Sequence, residues 1–141
     1  MFLKVFVDSD VIISSLLSSS GAAHFLLHNT DAVKPYISNL SLQEIRIVTE
    51  RLAIDSKKLA SLLEGHIEIV QLEYTTETVK AAYNNYVVDV NDAHIVAGAN
   101  EAKAKFLVSY NTKDFKAEKI KQDFAVILIT PAHLLQYLRS I

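Results

Sequence analysis

The sequence alternates between two kinds of apolar pattern, and this alternation constrains its fold more than any other feature. Short runs that are rich in β-branched and aromatic residues, beginning with residues 2–7, are typical of buried strands. Between these runs, apolar residues recur every three or four positions, as they do along one face of a helix. Only three Gly and two Pro interrupt the 141 residues, so most of the chain is predicted to lie in regular elements.

Five of the segments are predicted to be strands: residues 2–7, 35–38, 67–70, 106–109 and 125–129. Strands that alternate with helices favour a parallel sheet covered on both faces. We therefore expect an α/β fold in three layers, α/β/α, around a central, mostly parallel five-stranded sheet, as a single domain spanning residues 1–141. Because the crossovers are right-handed, each helix that follows a strand begins at the carboxyl edge of the sheet, where such folds bind ligands.

Residues typical of helix starts occur between these strands. Ser41 is predicted to cap a helix, with Glu44 three residues later as its capping-box partner. Asn91 is predicted to cap a later helix. Three further helices are expected to start at Asp55 or Ser56, at Thr75 or Thr76, and with Pro131 in the first turn.

The composition excludes several kinds of site. The chain has no cysteine, which rules out a disulfide scaffold, a cysteine zinc site and a cysteine nucleophile. The net charge of −2 argues against a strongly basic nucleic-acid binder, but residues 1–101 carry −6 and residues 102–141 carry +4. No apolar run approaches the ~20 residues of a membrane span. We expect a cytoplasmic protein with no membrane partner.

Acidic and amide side chains recur where a strand ends or a helix begins. Asp8 follows the first strand directly, and the others come near later strand ends or helix starts: Asp10, Glu44, Asp89, Asp92, Asn111 and Asp114. Acids are favoured at helix starts as caps and as partners of the helix dipole, so each one alone has a structural explanation. Asp10, Asp31 and Asp55 are expected to be caps or solvated acids.

The joint pattern is harder to explain by capping, because the predicted topology gathers these acids at one edge. Carboxylates a few ångströms apart repel one another and raise one another's pKa values. A cluster of three or four is costly unless a cation neutralises it, and an all-oxygen set of ligands suits Mg²⁺ or Mn²⁺. Such an ion supports phosphodiester hydrolysis by polarising the phosphoryl oxygen and generating hydroxide from a bound water.

Four segments together resemble the motifs of the PIN domain family. Residues 5–12 (VFVDSDVI) resemble its opening strand, which ends in Asp followed by Ser or Thr, and residues 41–45 (SLQEI) resemble the helix that bears its second acid. Residues 89–99 (DVNDAHIVAGA) resemble its third motif, an Asp that opens an alanine-rich helix, and residues 107–115 (LVSYNTKDF) resemble its fourth. The motifs follow the family's order and spacing over essentially the whole chain.

The resemblance implies an activity and partners. PIN domains are mostly Mg²⁺- or Mn²⁺-dependent ribonucleases, and many small members are VapC-like toxins that an antitoxin holds inactive. We therefore expect an endoribonuclease with an RNA substrate, an antitoxin partner and a homodimeric state. By the same resemblance, Asp8, Glu44 and Asp92 are the catalytic, metal-binding acids.

The remaining ligands follow from the same resemblance, with one departure. Many relatives have Asp where this chain has Asn111, which keeps an oxygen ligand but lacks the charge. Two outcomes stay open: Asp114 or Asp89 compensates for the missing charge as a further metal ligand, or the second metal ion binds weakly. Ser9 and Ser109 are expected to lie beside the ions as hydrogen-bonding groups.

Six lysines fall between Lys103 and Lys121, and two interpretations of them stay open. They form a solvated helix face, or some of them contact RNA phosphates, with Lys113 and Lys116 as the candidates. Tyr110 is either a packed tyrosine or a residue that stacks on a base.

The histidines give weaker signals. His24 and His28 have the i, i+4 spacing of a metal-binding pair, but a zinc site needs a third or fourth ligand. His94 follows Asp92 by two residues and is expected on the helix surface, with an approach to the substrate phosphate as the alternative.

Three other assignments compete with a PIN nuclease. Asp8 and Asp10 after an apolar strand also resemble the start of a haloacid-dehalogenase-type phosphatase, where the first Asp is a nucleophile and the second a general acid, but a later Gly/Ser-Asp-x-x-x-Asp motif is absent. A receiver domain needs an Asp after the third strand, where this chain has residues 71–73 (QLE). The third is a degenerate PIN domain that binds RNA or protein without catalysis, which Asn111 alone favours.

Overall fold

The five predicted strands form one parallel sheet in the computed structural model, which describes residues 2–141. The strands are β1 (Leu3–Val7), β2 (Val33–Ser38), β3 (Glu68–Val70), β4 (Phe106–Val108) and β5 (Ile127–Ile129). Their order is β3-β2-β1-β4-β5, and every neighbouring pair is parallel. Helices cover both faces, which confirms the predicted three-layer α/β/α fold.

Within residues 2–141, eight α-helices connect or follow the strands. They are α1 (Ser9–Leu17), α2 (Ala22–His28), α3 (Asn39–Arg51), α4 (Ser56–His66), α5 (Thr76–Tyr83), α6 (Ala93–Glu101), α7 (Ala117–Phe124) and α8 (Pro131–Ser140). The described part of the chain also has short 3-10 turns at Asn84–Tyr86, Val90–Asp92 and Thr112–Asp114. None of the helices in residues 2–141 is by itself long and apolar enough to cross a membrane, and α1 and α2, which together have the length and composition, meet at 97°.

Two of the predicted helix caps are wrong, because an earlier side chain takes the role. Ser38 caps α3, and its hydroxyl accepts a hydrogen bond from the Ser41 backbone N–H at 3.0 Å. Asp89 caps the turn before α6 by accepting from the Asn91 backbone N–H at 2.9 Å. In both places the polar residue that ends the preceding segment reaches the free N–H groups first.

The other predicted helix starts are confirmed. Asp55 caps α4 and Thr75 caps α5 through their side chains, and Pro131 lies in the first turn of α8.

The sheet separates two apolar cores because side chains alternate along each strand. Val5 and Val7 of β1 point to the core formed with α1, α2, α3, α4 and α8. Phe6, between them, points to the other core, which includes α5, α6 and α7. All three side chains are fully buried. Strand β1 therefore packs against both layers of helices, and its carboxyl end lies in the middle of the carboxyl edge of the sheet.

The carboxyl edge of the sheet has its switch point between β1 and β4. From β1 the chain progresses outward through β2 and β3, whereas β4 and β5 lie on the other side. Val7 is in register with Val108, so the residues that follow these two strands are neighbours. A site at this point can draw side chains from both halves of the sequence.

The packing of Phe6 against α6 generates a stability prediction. A Cβ at Gly98 would collide with the Phe6 ring, so Gly98→Ala should destabilise the protein by about 1–3 kcal/mol. Gly65→Ala in α4 is the matched control, since nothing lies within 4 Å of its Cβ position, and Ala should stabilise that helix by up to about 1 kcal/mol. Urea denaturation followed by circular dichroism measures both, and equal effects would contradict this account of Gly98.

Candidate metal centre

Asp8 lies at the switch point and is held from both sides. It directly follows β1 and caps α1, and its Oδ1 accepts a hydrogen bond from the Ser9 backbone N–H at 2.7 Å. Its Oδ2 accepts from the Ser109 hydroxyl, which follows β4, at 2.8 Å. Its own backbone N–H donates to the Val108 carbonyl at 2.9 Å. The pairing of β1 with β4 thus fixes both the backbone and the carboxylate of Asp8.

The surroundings of Asp8 disfavour its negative charge. Burial raises the pKa of Asp8 to about 7, and the negative charges of Asp10 and Asp92 act in the same direction. The hydrogen bonds from Ser109 and Ser9 oppose this rise but do not cancel it. A carboxylate in such surroundings is stabilised by a cation placed beside it.

Asp10 is neither a cap nor a solvated acid, so that expectation is wrong. Its Oδ2 accepts hydrogen bonds from the Tyr110 backbone N–H at 3.1 Å and the Asn111 side-chain amide at 3.0 Å. Burial raises the pKa of Asp10. The same expectation, a cap or a solvated acid, is confirmed for the other two residues: Asp55 caps α4, and Asp31 is exposed. The sequence could not reveal the contact, because its partners lie about 100 positions away.

Glu44, on α3, is paired with a histidine. Its Oε2 lies 3.3 Å from Nε2 of His94 in the first turn of α6, and this hydrogen bond lowers the pKa of Glu44. The His94 side chain is only 13% exposed, and its buried Nδ1 has no hydrogen-bond partner. The expectation of a surface histidine is therefore wrong. In the sequence, the position of His94 two residues after Asp92 was the one indication that it belongs to the site.

Asp92 joins the same cluster from the start of α6. Burial raises its pKa, and the negative charges of Asp89, Asp114 and Glu44 raise it further. Asp89 and Asp114 lie in the turns before α6 and after β4, so both border the cluster. Asp92 is therefore near enough to Asp8, Glu44, Asp89 and Asp114 for their charges to interact with its own.

Both serines that were predicted to lie beside the ions are close to acids of the cluster. Ser109 is fully buried, and its hydroxyl donates to Asp8 and accepts from the Asn111 backbone N–H at 3.0 Å. The Ser9 hydroxyl is buried without a hydrogen-bond partner. The Ser9 hydroxyl also lowers the pKa of Glu44, so it lies near the Glu44 carboxylate. The contact between the two groups does not have hydrogen-bond geometry.

A cleft of about 480 Å³ opens beside Glu44 and His94. It runs between α3 and α5, with Arg51 and Lys80 among its lining residues. Neither cation makes an ion pair within residues 2–141. Sequence reasoning missed both, because they are isolated cations in the acidic part of the chain.

The residues predicted to contact RNA lie in the segment between β4 and α7. Lys113 and Lys116 are exposed and make no ion pair with the described acids. Tyr110 is 43% exposed, so the packed alternative is wrong for it. Its ring remains available for stacking.

The His24 and His28 pair lies elsewhere. Their rings stack with centroids 3.9 Å apart, and His66 of α4 adds a third imidazole 5.0 Å from His28. Each Nδ1 of the stacked pair lies near a backbone carbonyl. Across the described residues these rings are not arranged to hold a metal ion.

The acid cluster has donors that fit a hard divalent cation. Asp8, Glu44 and Asp92 offer only oxygen ligands, and the two aspartates have raised pKa values because of burial and neighbouring negative charge. Over residues 2–141, no three His, Asp or Glu side chains are already arranged to hold an ion. Glu44 is turned to His94, so a shared ion would require side-chain rotation.

The fold and this cluster define a class of protein: a parallel α/β domain with a polyanionic site at its switch point. The sequence profile of the PIN domain family matches residues 4–113, and the chain therefore belongs to the PIN domain family. This membership removes the grounds for the phosphatase and receiver alternatives. No curated protein is similar enough in sequence to be matched with the chain.

Solved structures share the fold. A toxin-antitoxin complex from Klebsiella pneumoniae is 20% identical, with a TM-score of 0.64 over 90% of this chain and 97% of that chain. VapBC2 from Rickettsia felis, bound to a promoter DNA fragment, is 16% identical, with a TM-score of 0.62 over 91% and 98%. PAE2754 from Pyrobaculum aerophilum is 18% identical, with a TM-score of 0.63 over 99% and 91%. At these identities the likeness shows the fold alone.

The raised pKa of Asp8 generates a pH prediction for the metal-free protein. The folded state binds this proton more tightly than the unfolded state, so the free energy of unfolding should fall as pH rises from about 4 through about 7. Asp8→Asn removes this penalty and should stabilise the protein by about 1–3 kcal/mol at pH 8 in EDTA, with little effect near pH 4. Thermal denaturation of both proteins across this pH range measures the difference. A constant difference at all pH values would exclude Asp8 as its source.

Proposed function

We propose that the protein is a metal-dependent endoribonuclease that hydrolyses RNA phosphodiester bonds. The observation that carries the proposal is the convergence of Asp8, Glu44 and Asp92 at the switch point, with Asp8 and Asp92 in surroundings that penalise their charge. Structural acids at helix starts do not need to be gathered and buried in this way. A centre that binds cations at an open edge of the sheet explains the arrangement, and the PIN family includes nucleases with such centres.

In this proposal Asp8, Glu44 and Asp92 hold Mg²⁺ or Mn²⁺. A bound ion supplies charge stabilisation at the phosphoryl oxygen and lowers the pKa of a water molecule. Ser109 keeps the Asp8 carboxylate oriented through its 2.8 Å hydrogen bond. His94 keeps Glu44 at the mouth of the cleft. Asp89 and Asp114 add negative potential around Asp92, which strengthens the attraction of the cluster for a cation.

The cleft beside Glu44 suits a strand of RNA. Arg51 lies two helical turns beyond Glu44 on α3, about 10 Å along the axis, and Lys80 faces it from α5. These two unpaired cations can bind phosphates that flank the cleaved bond. Beyond the cleft, the RNA would contact the segment between β4 and α7. Its phosphates would bind Lys113 and Lys116, and one of its bases would stack on Tyr110.

We further propose that the protein is the toxin of a toxin-antitoxin pair in the cytoplasm. Structures with the same fold include a toxin-antitoxin complex, VapBC2, and FitAcB from Neisseria gonorrhoeae. An antitoxin that covers the acid cluster or the cleft would hold the activity in check. The homodimer stays a prediction, which light scattering of the purified protein can test.

A second candidate is a degenerate PIN domain that binds RNA or protein without catalysis. Asn111 favours it, because an amide replaces a charged ligand at that position. The presence of Asp8, Glu44 and Asp92 in one cluster favours catalysis. The cleavage experiment below separates the two.

The proposed activity predicts metal-dependent cleavage of RNA. The wild-type protein should cleave members of a structured RNA panel with Mn²⁺ or Mg²⁺, and EDTA should abolish cleavage. Asp8→Asn and Asp92→Asn should each lower the rate by at least about 100-fold, because each removes a charged ligand. Asp31→Asn, an exposed acid at the opposite edge of the sheet, is the control. If chelation and both substitutions leave cleavage unchanged, the activity comes from a contaminant.

The cleft predicts where RNA phosphates bind. In EDTA, the double variant Arg51→Gln/Lys80→Gln should bind labelled single-stranded RNA more weakly than wild type. Its log–log salt slope should fall by about 1.4, since each lost phosphate contact on a single strand removes about 0.7. Lys57→Gln/Lys58→Gln, which removes two exposed cations lining a different cleft, is the matched control. Equal slopes for the two double variants would show a nonspecific charge effect.

A further inference from the structure

We propose that Asp10 supplies a fourth carboxylate to the metal centre and replaces the charge that Asn111 lacks. The inference rests on the proposed metal centre. It differs from the expectation that Asp114 or Asp89 compensates for Asn111.

The hydrogen bonds of Asp10 hold its carboxylate against the switch point. Its Oδ2 accepts from the Tyr110 backbone N–H at 3.1 Å and from the Asn111 side-chain amide at 3.0 Å, and the Ser109 hydroxyl lies 3.4 Å away. These three donors belong to the loop after β4, whereas a helix cap accepts from the N–H groups of its own helix. Asp10 therefore joins α1 to the loop that carries Ser109.

The other carboxylate oxygen of Asp10 points to a missing ligand. Oδ1 is buried and has no partner of good hydrogen-bond geometry, although the nearby Val11 backbone N–H lowers the pKa of Asp10. Leaving a buried carboxylate oxygen unsatisfied costs more than leaving a neutral acceptor unsatisfied. The Ser9 hydroxyl, on a residue only 8% exposed, is also buried without a partner and lies beside Glu44. Two unsatisfied oxygens thus belong to the two residues that directly follow Asp8. A cation shared with Asp8 would satisfy the free oxygen of Asp10.

Asp10 and Asn111 form a matched pair of a carboxylate and an amide. Nδ2 of Asn111 donates to Asp10, which an aspartate at position 111 could not do. Two carboxylates in this contact would repel each other. The pair holds one negative charge between positions 10 and 111, and in this chain the charge is on residue 10.

Among the described residues, the side chains of the alternative ligands make no hydrogen bond to Asp8, Asp10 or Ser109. Asp89 uses its side chain to cap the turn before α6. Asp114 lies in a 3-10 turn, and no side-chain hydrogen bond joins it to Asp8 or Asp10 among the described residues. Asp10 is linked to Asp8 through the shared Ser109 hydroxyl and through direct repulsion of their charges.

The test is a charge exchange between positions 10 and 111. Mn²⁺ binding to the wild-type protein, Asp10→Asn, Asn111→Asp and the double variant Asp10→Asn/Asn111→Asp is measured by calorimetry without RNA. Asp10→Asn should weaken Mn²⁺ binding by about 10- to 100-fold. The double variant should recover most of that loss, because Asn at position 10 can donate to Asp at position 111. Asp31→Asn should bind Mn²⁺ as wild type does.

The same set of variants also tests whether the loss of Mn²⁺ binding comes from damage to the fold. An Asn at position 10 can still accept the hydrogen bonds from Tyr110 and Asn111, so the metal-free melting temperature of Asp10→Asn should not fall. Wild-type affinity in Asp10→Asn, or no recovery in a folded double variant, would overturn the inference, and so would a wild-type protein that binds no Mn²⁺. A protein that shows the predicted Mn²⁺ affinities but cleaves no RNA would refute the proposed ribonuclease and leave Asp10 as a ligand.

Discussion

The parallel pairing of β1 with β4 is the contact on which the rest of the site depends. It places Val7 beside Val108 and lets the Asp8 backbone donate to the Val108 carbonyl. The residues that follow the two strands, Asp8 and Ser109, then meet although they are 101 positions apart. No other neighbouring pair of strands could do this, since the direction of chain progression reverses only between β1 and β4.

The three aspartates of the cluster lie in surroundings that disfavour their negative charge. Burial raises the pKa values of Asp8, Asp10 and Asp92, and neighbouring negative charges raise those of Asp8 and Asp92 further. The pKa of Glu44 is instead lowered, because His94 donates a hydrogen bond to it. The site without a cation is therefore a source of instability held in place by the apolar cores on either side of β1. Proteins retain such strain where it serves binding or catalysis, which connects the electrostatics of the cluster to the proposed function.

The sequence predicted the fold in most of its elements and the site in most of its acids. The strands were found because a short apolar run is a local pattern, and the acids were found because right-handed crossovers bring strand ends to one edge. The errors concern side chains whose partners are remote or compete locally. Ser38 displaced Ser41 as a cap because it lies where the helix begins. Asp10 and His94 looked like ordinary surface residues, since their partners are separated from them by 100 and 50 positions.

The sequence by itself determined the alternation of strands and helices, the absence of thiol chemistry and the presence of acids at strand ends. These follow from composition and from local periodicity, which do not depend on distant partners. Only the tertiary structure decided which acids share a site, that Asn111 faces Asp10, and that Arg51 and Lys80 line the cleft beside Glu44. The physical reason is that strand order and side-chain hydrogen bonds join residues far apart in the chain, and such pairings leave no periodic trace in a single sequence.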